Sequence, residues 1–270
     1  MSWDASITPE SLEGRLSGCA LARHIHVFES VDSTNAVCAA LAADGAEQGT
    51  VVLADEQTAG RGRLGRTWHS PAGTGLWFSV LLTPPAAPGA GWAATVCASL
   101  GVLRGVLVAS GIHPQIMWPN DLLVGGRKVC GILAEAKPPR PDGTLPIVVG
   151  IGINVNQAAG DFPEEFRSRA TSLSAVRGAP VDRLALLDAT LRGMAEAYAI
   201  AGRDGLAPLL QPWRMHSAML EQAVRVDLGS RVLEGVVADV RESGALVVRL
   251  ADGTREEVLA GDVTLVRLAG

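Results

Sequence analysis

The stretch TAGRGRLGRTW, residues 58–68, combines three arginines with three glycines and ends on a tryptophan. Arg61, Arg63 and Arg66 carry fixed positive charge and forked donors that suit carboxylate and phosphate oxygens. The glycines between them let backbone amides approach a ligand closely. The segment matches neither a Walker A loop nor a GxGxxG turn that opens a helix. It therefore predicts a site for an anionic ligand, with a solvated basic hairpin tip as the alternative.

The segment MWPNDLLVGGRKVCGI, residues 117–132, holds a second set of candidate groups. Asn120 and Asp121 follow a proline that restrains the chain, so Asn120 could hold a polar ligand and Asp121 could hold Mg²⁺. Lys128 is one of only two lysines, and a compact ammonium is useful beside a reacting phosphate. Without further context, a Pro-Asn-Asp turn and a solvated lysine are the simpler interpretations.

Polar residues at three further places fall at the ends of predicted elements. Ser33, Thr34 and Asn35 stand at a probable helix start, where their side chains could either cap the helix or face a polar heterocycle. Gln57, at a strand end, could join them or be exposed. Asn154 follows two glycines in GIGIN, where it could read a base or ribose or simply occupy a turn.

The remaining reactive residues argue against covalent catalysis. The five histidines show no metal-ligand spacing, and no G-x-S-x-G elbow is present. The four cysteines, at 19, 38, 97 and 130, are too far apart for a CxxC-type site and suggest reduced, buried thiols. The chemistry therefore looks like charge stabilisation.

Composition predicts a globular protein. Of the 270 residues 48% are hydrophobic and 19% charged, and the net charge is −5, which argues against a general nucleic-acid binder. The N-terminus lacks the features of a secretory signal. The apolar run 92–111 contains Arg104 near its middle, so it predicts a buried helix and not a membrane span. We expect a cytoplasmic protein without a membrane partner.

The elements that must position these residues alternate along the chain. Strands are predicted over 24–30, 50–57, 75–84 and 145–156, with a further strand pair, 114–124 and 128–136, turned at Gly125-Gly126. Helices are predicted over 9–17, 33–45 and 91–110, and two within 181–217. From about residue 220 the sequence pattern changes to that of five short strands with alternating apolar residues, which is typical of a small barrel.

These elements predict an α/β (α+β) fold of two parts. Residues 1–218 would form a mixed-sheet catalytic domain flanked by helices. Residues 219–270 would form a small, SH3-like β-barrel.

The motifs, taken in order, resemble those of the biotin–protein ligases. The similarity rests on STN, EQTAGRGRLGRTW, WPNDLLV, GRKVCGILAE and GIGIN, and it spans roughly residues 24 to 160. Members of that family join biotin to ATP, with Mg²⁺, as biotinyl-5′-adenylate. They then pass biotin to one lysine of an acceptor domain on a biotin-dependent carboxylase.

The resemblance implies a role for each matching residue. Ser33, Thr34, Asn35 and Gln57 would line the biotin pocket; Arg61, Gly62, Arg63 and Lys128 would surround the biotin carboxylate and α-phosphate; Arg66, Trp68, Asn120 and Asn154 would join Arg63 in binding ATP. Arg63 and Lys128 would be the catalytic charges, Trp68 would cover the ligand as the loop orders, and Asp121 stays the candidate metal ligand.

Two departures from the family pattern matter. The family usually has a lysine just before WPND, and this chain has Met117 there. One positive contact to the substrates would then be missing, and Lys128 would carry more of the charge stabilisation. Some relatives carry an N-terminal DNA-binding domain, for which the 23 residues before the first strand are too few. We therefore expect neither DNA binding nor repressor activity, while a homodimer stays open.

Two alternatives stay open. The first is a lipoate–protein ligase or related acyl transferase of similar fold. The GRGRLGR sequence argues against this alternative. The second is a non-enzymatic ligand sensor that uses the barrel for partners.

Overall fold

Two β-sheets organise the chain in a computed structural model that describes residues 7–259 and 261–266. The strands of the larger sheet are β1 (His24–Val31), β2 (Thr50–Gln57), β3 (Gly75–Leu82), β4 (Gln115–Met117), β5 (Asp121–Val124), β6 (Arg127–Ala136) and β7 (Ile147–Asn154). Their spatial order is β1-β2-β3-β7-β6-β5-β4. Only β1 and β2 run parallel, and the other neighbours are antiparallel, so the predicted mixed sheet is confirmed.

The helices are α1 (Pro9–Leu16), α2 (Thr34–Ala43), α3 (Ala90–Ser110), α4 (Leu173–Arg177), α5 (Arg183–Asp204) and α6 (Ala207–Met215). Helix α1 begins where predicted, because Thr8 and Ser11 form a reciprocal capping box. Ser33 occupies the N-cap position of α2, but its side chain makes no capping hydrogen bond. The short helix α4 has no counterpart among the predicted elements.

Alternation along β3 divides the larger sheet into two faces. Leu76, Phe78 and Val80 pack into the main core with α3 and α5. The intervening side chains point to the opposite face, where Leu81 packs with Cys38 of α2. That second face carries the candidate site.

Helix α3 is the one helix in the described part of the chain that is long and apolar enough to cross a membrane. It packs instead against α5, β6 and β7. Gly101 and Gly105 allow the close approach to α5, since a Cβ at Gly105 would lie 2.0 Å from Thr190 Oγ1. Arg104 is exposed and pairs with Glu196 on α5. The predicted buried core helix is confirmed.

The segment 114–124, predicted as one strand, forms two. Strand β4 pairs antiparallel with β5, with Met117 opposite Asp121, so the chain folds back through Trp118-Pro119-Asn120. The proline cannot donate a ladder hydrogen bond, which favours a turn there. The predicted turn at Gly125-Gly126 is confirmed, and both glycines have positive φ.

The C-terminal region forms five antiparallel strands, as predicted: β8 (Ala223–Asp227), β9 (Val232–Val240), β10 (Leu246–Arg249), β11 (Arg255–Val258) and β12 (Asp262–Leu265). Their order is β11-β10-β9-β8-β12. Within the described residues the two outer strands, β11 and β12, do not pair, so the predicted barrel is not closed. Trp118 Nε1 donates to Gly244 O at 2.9 Å, which joins this sheet to the larger one.

Candidate active site

Three glycines form the floor of the site on the second face of the sheet. Gly131 on β6 is the direct cross-strand partner of Gly152 on β7, and Gly150 lies two residues before Gly152 on the same face. A Cβ would lie 2.1 Å from Asn35 Oδ1 at Gly150 and 2.4 Å from Trp68 Nε1 at Gly152. Only glycine therefore fits beneath Asn35 and Trp68.

A buried polar network closes one end of this floor. The amide N of Thr34 donates to Gln57 Oε1 at 2.9 Å, and Gln57 Nε2 donates to Ser70 Oγ at 2.9 Å. Ser79 Oγ lies 2.8 Å from Thr34 Oγ1 and 2.6 Å from Asn35 Oδ1. The start of α2 and the end of β2 thus meet as a rigid set of neutral donors and acceptors.

The arginine loop, residues 60–68, folds back on itself at the other end. The amide N of Trp68 donates to Gly60 O at 2.9 Å, and the amide N of Gly62 donates to Arg66 O at 2.7 Å. At its tip Leu64 adopts φ 56° and is 77% exposed. A leucine in the left-handed region costs energy, so the tip is a strained and lightly packed part of the chain.

The three arginines of the loop have different partners. Arg63 donates to Asn120 Oδ1 at 3.2 Å, and Asn120 is fixed in turn by donating to Ile132 O at 2.7 Å. Arg66 reaches the C-terminal sheet and forms an ion pair with Asp262 on β12. Arg61 is exposed. The structure thus holds Arg63 against Asn120 at the cavity beside the loop and directs Arg66 to the C-terminal sheet.

Trp68 lies over the glycine floor at the base of the loop. Its ring meets Trp77 edge-on, with centroids 6.3 Å apart, and Lys128 Nζ lies 5.1 Å from its centroid. Its Nε1 is buried and has no hydrogen-bond partner within the described residues. A tryptophan packed on one face of such a groove can act as a wall for an apolar ligand.

Lys128 and Asp121 form an ion pair between neighbouring strands, with Nζ 2.7 Å from Oδ2. Asp121 Oδ1 is buried and lacks a hydrogen-bond partner among the residues described. The described ranges contain no cluster of three or more His, Cys, Asp or Glu that could hold a metal. The residues therefore do not fit a resident Mg²⁺ site, and Asp121 is engaged by the lysine.

Asn154 extends the same face of β7 beyond the glycines. Its Nδ2 donates to Thr171 O at 3.1 Å. Thr171 Oγ1 and Gln157 Oε1 are buried beside it without partners among the described residues. Unsatisfied buried polar atoms are rare in folded proteins, so this cluster has the chemistry to take further hydrogen bonds.

A cavity of about 530 Å³ lies beside the loop. Arg61, Arg63, Trp92, Asn120 and Glu135 are among its lining residues. The first turn of α3 also lines it, and no side chain caps that helix end. Two arginines and a helix N-terminus give this cavity an anion-attracting field.

The thiols take no part in this chemistry. Burial raises the pKa of Cys38 to about 12. Burial, and after it the Asp121 carboxylate, also raises the pKa of Cys130, which lies next to the floor. Thiols with such raised pKa values are poor nucleophiles at neutral pH, and all four cysteines are free and buried as predicted.

The sequence reasoning missed several residues of the site. Ser79, fully buried, links Thr34 to Asn35, and Glu135 accepts a hydrogen bond from Asn35. The signal for Ser79 was a lone hydroxyl in the apolar strand GLWFSVLL. The signal for the floor was the i, i+2 spacing of glycines in GIGIN, which places Gly150 and Gly152 on one face.

Two family models match the chain. The biotin/lipoate A/B protein ligase family matches residues 27–154, which contain the floor, the network and the loop. The biotin protein ligase C-terminal domain matches residues 219–266, which contain the second sheet.

Individual relatives agree with these matches. A biotin–acetyl-CoA-carboxylase ligase of Mycobacterium tuberculosis is 36% identical over 264 residues, which cover 95% of each chain. A bifunctional ligase/repressor of Bacillus subtilis is 33% identical over 91% of this chain and 75% of its own. The solved biotin protein ligase of Aquifex aeolicus, in complex with biotin and ATP, has a TM-score of 0.75 and 30% identity over 91% of this chain and 100% of its own.

Proposed function

The chain belongs to the biotin/lipoate A/B protein ligase family, and on that premise we propose that it is a biotin protein ligase. It activates biotin with ATP and passes it to a lysine of a biotin-acceptor domain on a biotin-dependent carboxylase. One observation carries the assignment of the reacting groups. The neighbouring residues Asn120 and Asp121 engage Arg63 and Lys128, so two cations from distant segments meet at the same end of the glycine floor.

The buried network is the proposed site for the ureido ring of biotin. That ring offers two N–H donors and one carbonyl acceptor, and Thr34, Gln57 and Asn35 supply neutral partners of both kinds. Ser33 is buried beside them. Trp68 fills the space over Gly152, so it would have to move off the floor for the thin bicyclic ring and the alkyl chain to lie there. It would then cover them, and the alkyl chain would carry the carboxylate toward the arginines.

The arginine loop and Lys128 are the proposed machinery of adenylate formation. A biotin carboxylate oxygen attacks the α-phosphorus of ATP, the bond to the β-phosphate breaks and pyrophosphate leaves. Arg63, the Gly62 amide and Lys128 stabilise the negative charge where carboxylate and phosphate meet, with Arg61 beside them. Arg66 would leave Asp262 to hold the polyphosphate.

The second step consumes the adenylate. The acceptor lysine, as its neutral amine, attacks the acyl carbon of the mixed anhydride, the carbon–oxygen bond to phosphate breaks, AMP leaves with the electron pair, and the amine nitrogen releases a proton to solvent. Closure of the loop, with Trp68 as its cover, keeps water from the anhydride until then. Asn154 and Asn120 are the proposed contacts to the adenylate, since Asn154 lies beside the unpartnered Thr171 Oγ1 and Gln157 Oε1 and Asn120 lines the cavity beside the loop.

Four further expectations stay proposals. Mg²⁺ would enter with the ATP phosphates, because the described residues offer no protein cage for it. The enzyme would work in the cytoplasm, where its substrates are. A homodimer, and the absence of DNA binding, are testable by sedimentation and by operator footprinting.

Mass spectrometry of an acceptor domain tests the function. The purified chain, an acceptor domain, biotin, ATP and Mg²⁺ should give one biotinyl adduct on a single lysine, with pyrophosphate release. Reactions without ATP, or with lipoate in place of biotin, are the controls. A lipoyl adduct would favour the lipoate ligase alternative, and the absence of pyrophosphate release with biotin would leave only a ligand sensor.

A further inference from the structure

Strands β2 and β3 separate at the base of the arginine loop. Their antiparallel pairing ends at Ala54 and Trp77, after which β2 continues along β1 and Gly75 of β3 continues along β7. Asp55 and Gly75 thus lie on the two arms of a fork, and residues 58–74, which contain the arginine loop, connect those arms. The geometry of the fork therefore sets the position from which the loop reaches the site.

Arg183, at the start of α5, closes this fork. Its Nη1 lies 3.0 Å from Asp55 Oδ1 and 3.1 Å from Gly75 O, so one nitrogen donates to both arms. The side chains of Arg183 and Asp55 are 3% and 5% exposed, and water therefore hardly competes for these contacts. The two hydrogen bonds hold the arms together where the ladder between β2 and β3 has ended.

The stability of the helix does not explain this arginine. Arg183 is the first residue of α5, where a positive charge opposes the helix dipole. Its burial also costs solvation energy, and apolar residues of similar volume often stabilise a core as well as a buried ion pair does. A residue that breaks local rules without a gain in stability indicates a functional constraint.

Two tryptophans connect the fork to the site. A Cβ at Gly75 would lie 1.9 Å from the Trp77 ring, so the ring packs directly on this arm of the fork. Trp77 Nε1 donates to Pro71 O at 3.3 Å, and the Trp77 ring meets Trp68 edge-on. A shift of Gly75 would therefore be passed on to both ends of the arginine loop's attachment.

We propose that Arg183 is a positioning residue for adenylate formation: by holding Asp55 and Gly75 together, it fixes the base from which Arg61 and Arg63 reach the substrates. The inference rests on the proposed function, because it concerns the loop assigned to that step. Arg183 acts through the fork and not by touching the reacting atoms. A misplacement of about 1 Å, caused far from the chemistry, can slow an enzyme about 100-fold.

The double variant Asp55→Val, Arg183→Met tests the proposal by removing the clamp and keeping the core filled. Apolar side chains replace both charges, so the melting temperature should stay near that of the unmodified protein. The rate of biotin-dependent pyrophosphate release should fall roughly 10- to 100-fold. The affinity for biotin alone, measured by calorimetry, should change less than about threefold, because the polar network does not contact the substituted residues.

The single variant Asp55→Asn should show the opposite behaviour. Its amide oxygen still accepts from Arg183, so the fork keeps its geometry, but the guanidinium loses its buried counter-charge. The melting temperature should therefore drop, while pyrophosphate release, measured well below that temperature, should fall far less than in the double variant. A purely structural role for Arg183 predicts the reverse order, because the less stable variant would then be the slower one.

Another ion pair of α5 provides the matched control. Arg192 contacts Asp188 at 2.6 Å and donates to Arg15 O at 2.8 Å, so it ties α5 to α1 and not to the fork. The variant Asp188→Leu, Arg192→Met also replaces an arginine–aspartate pair by apolar residues. Its rate of pyrophosphate release should match that of the unmodified protein.

Three results would overturn the proposal. They are pyrophosphate release by the double variant near the unmodified rate, slower release by Asp55→Asn than by the double variant, or a loss of biotin affinity in the double variant as large as its loss of rate. If the double variant does not fold, hydrogen exchange in the unmodified protein decides. The paired amides of 75–78 should then stay protected while those of 60–68 exchange, and equally fast exchange of both would refute the clamp. Failure of the unmodified protein to release pyrophosphate with biotin would instead refute the proposed function.

Discussion

The two ends of the candidate site are built in opposite ways. At the network end Ser79 is 0% and Asn35 4% exposed, and each polar atom has a partner from another element. At the loop end Leu64 is 77% exposed, and the arginines make one hydrogen bond to Asn120 and one ion pair to Asp262. The first end is assembled before any ligand arrives, and the second is held by few and weak contacts.

The proposed function assigns a different chemistry to each end, and the difference in construction agrees with that assignment. A neutral ring is recognised by hydrogen bonds whose geometry is fixed in advance, because a preorganised site loses little entropy on binding. Two anionic substrates repel each other, and their mixed anhydride is hydrolysed by water, so the other end needs charges that gather around the ligands and close. Segments that move in function come from the least stable parts of a structure.

The largest expected effect comes from the loop end. Arg63→Ala should lower the rate of biotin-dependent pyrophosphate release roughly 100- to 1,000-fold, the cost of removing one donor that stabilises transition-state charge. Its melting temperature should hardly change, because the Arg63 side chain makes one hydrogen bond among the described residues, to Asn120 outside the core. Arg203→Ala, an exposed arginine paired with Asp204 on α5, is the matched control. Adenylate formation by Arg63→Ala near the unmodified rate would contradict the role.

Two glycine substitutions test whether the network end is more rigid than the loop end. In each variant the new Cβ would collide with one of the two ends. A Cβ at Gly150 would meet the buried Asn35, and a Cβ at Gly152 would meet Trp68 of the loop. Gly150→Ala should therefore destabilise the fold by about 1–3 kcal/mol, the usual cost of overpacking. Gly152→Ala should cost less, since the loop can shift, and should mainly impair loop closure.

Thermal unfolding of both glycine variants measures this contrast. Gly14→Ala, where a Cβ meets nothing within 4 Å, serves as the control. Equal losses of stability in Gly150→Ala and Gly152→Ala would mean that the loop is as rigid as the network.

The smallest expected effect concerns the ion pair between Arg66 and Asp262. Both side chains are largely exposed, so Asp262→Asn should change the free energy of unfolding by less than about 1 kcal/mol. Because it frees Arg66, the variant should bind ATP slightly more tightly, and the gain should vanish in high salt. Glu256→Gln, which breaks the Arg231 pair in the same sheet, should not change ATP binding. Weaker ATP binding by Asp262→Asn would count against the proposal that Arg66 leaves Asp262 to bind the polyphosphate.

The network and the loop also differ in how far the sequence could predict them. The arginine loop is local, so its charge and spacing are visible in nine consecutive residues. The network joins α2, β2, β3 and β6, and nothing local indicates that Ser79 meets Asn35, 44 residues away. The pairing of Arg66 with Asp262, 196 residues apart, was equally invisible.

The helices and strands, too, could be predicted only where the sequence pattern is unambiguous. Long periodic segments such as α3 and α5 were predicted well, because packing and propensity agree there. The segment 114–124 was misjudged, since the apolar pattern continues through the turn at Pro119. Met117, opposite Asp121, takes the place of the family's usual lysine, and its effect on activity stays a prediction, as does the domain boundary at 218/219.

Hydrogen exchange tests the contrast between the two ends most directly. Amides of residues 60–68 should exchange quickly in the free protein and become protected when biotin and ATP are added together. Amides of 51–54 and 76–81, which hold the network, should be protected in both states. Slow exchange of the loop without ligand, or its fast exchange with both substrates bound, would contradict the account.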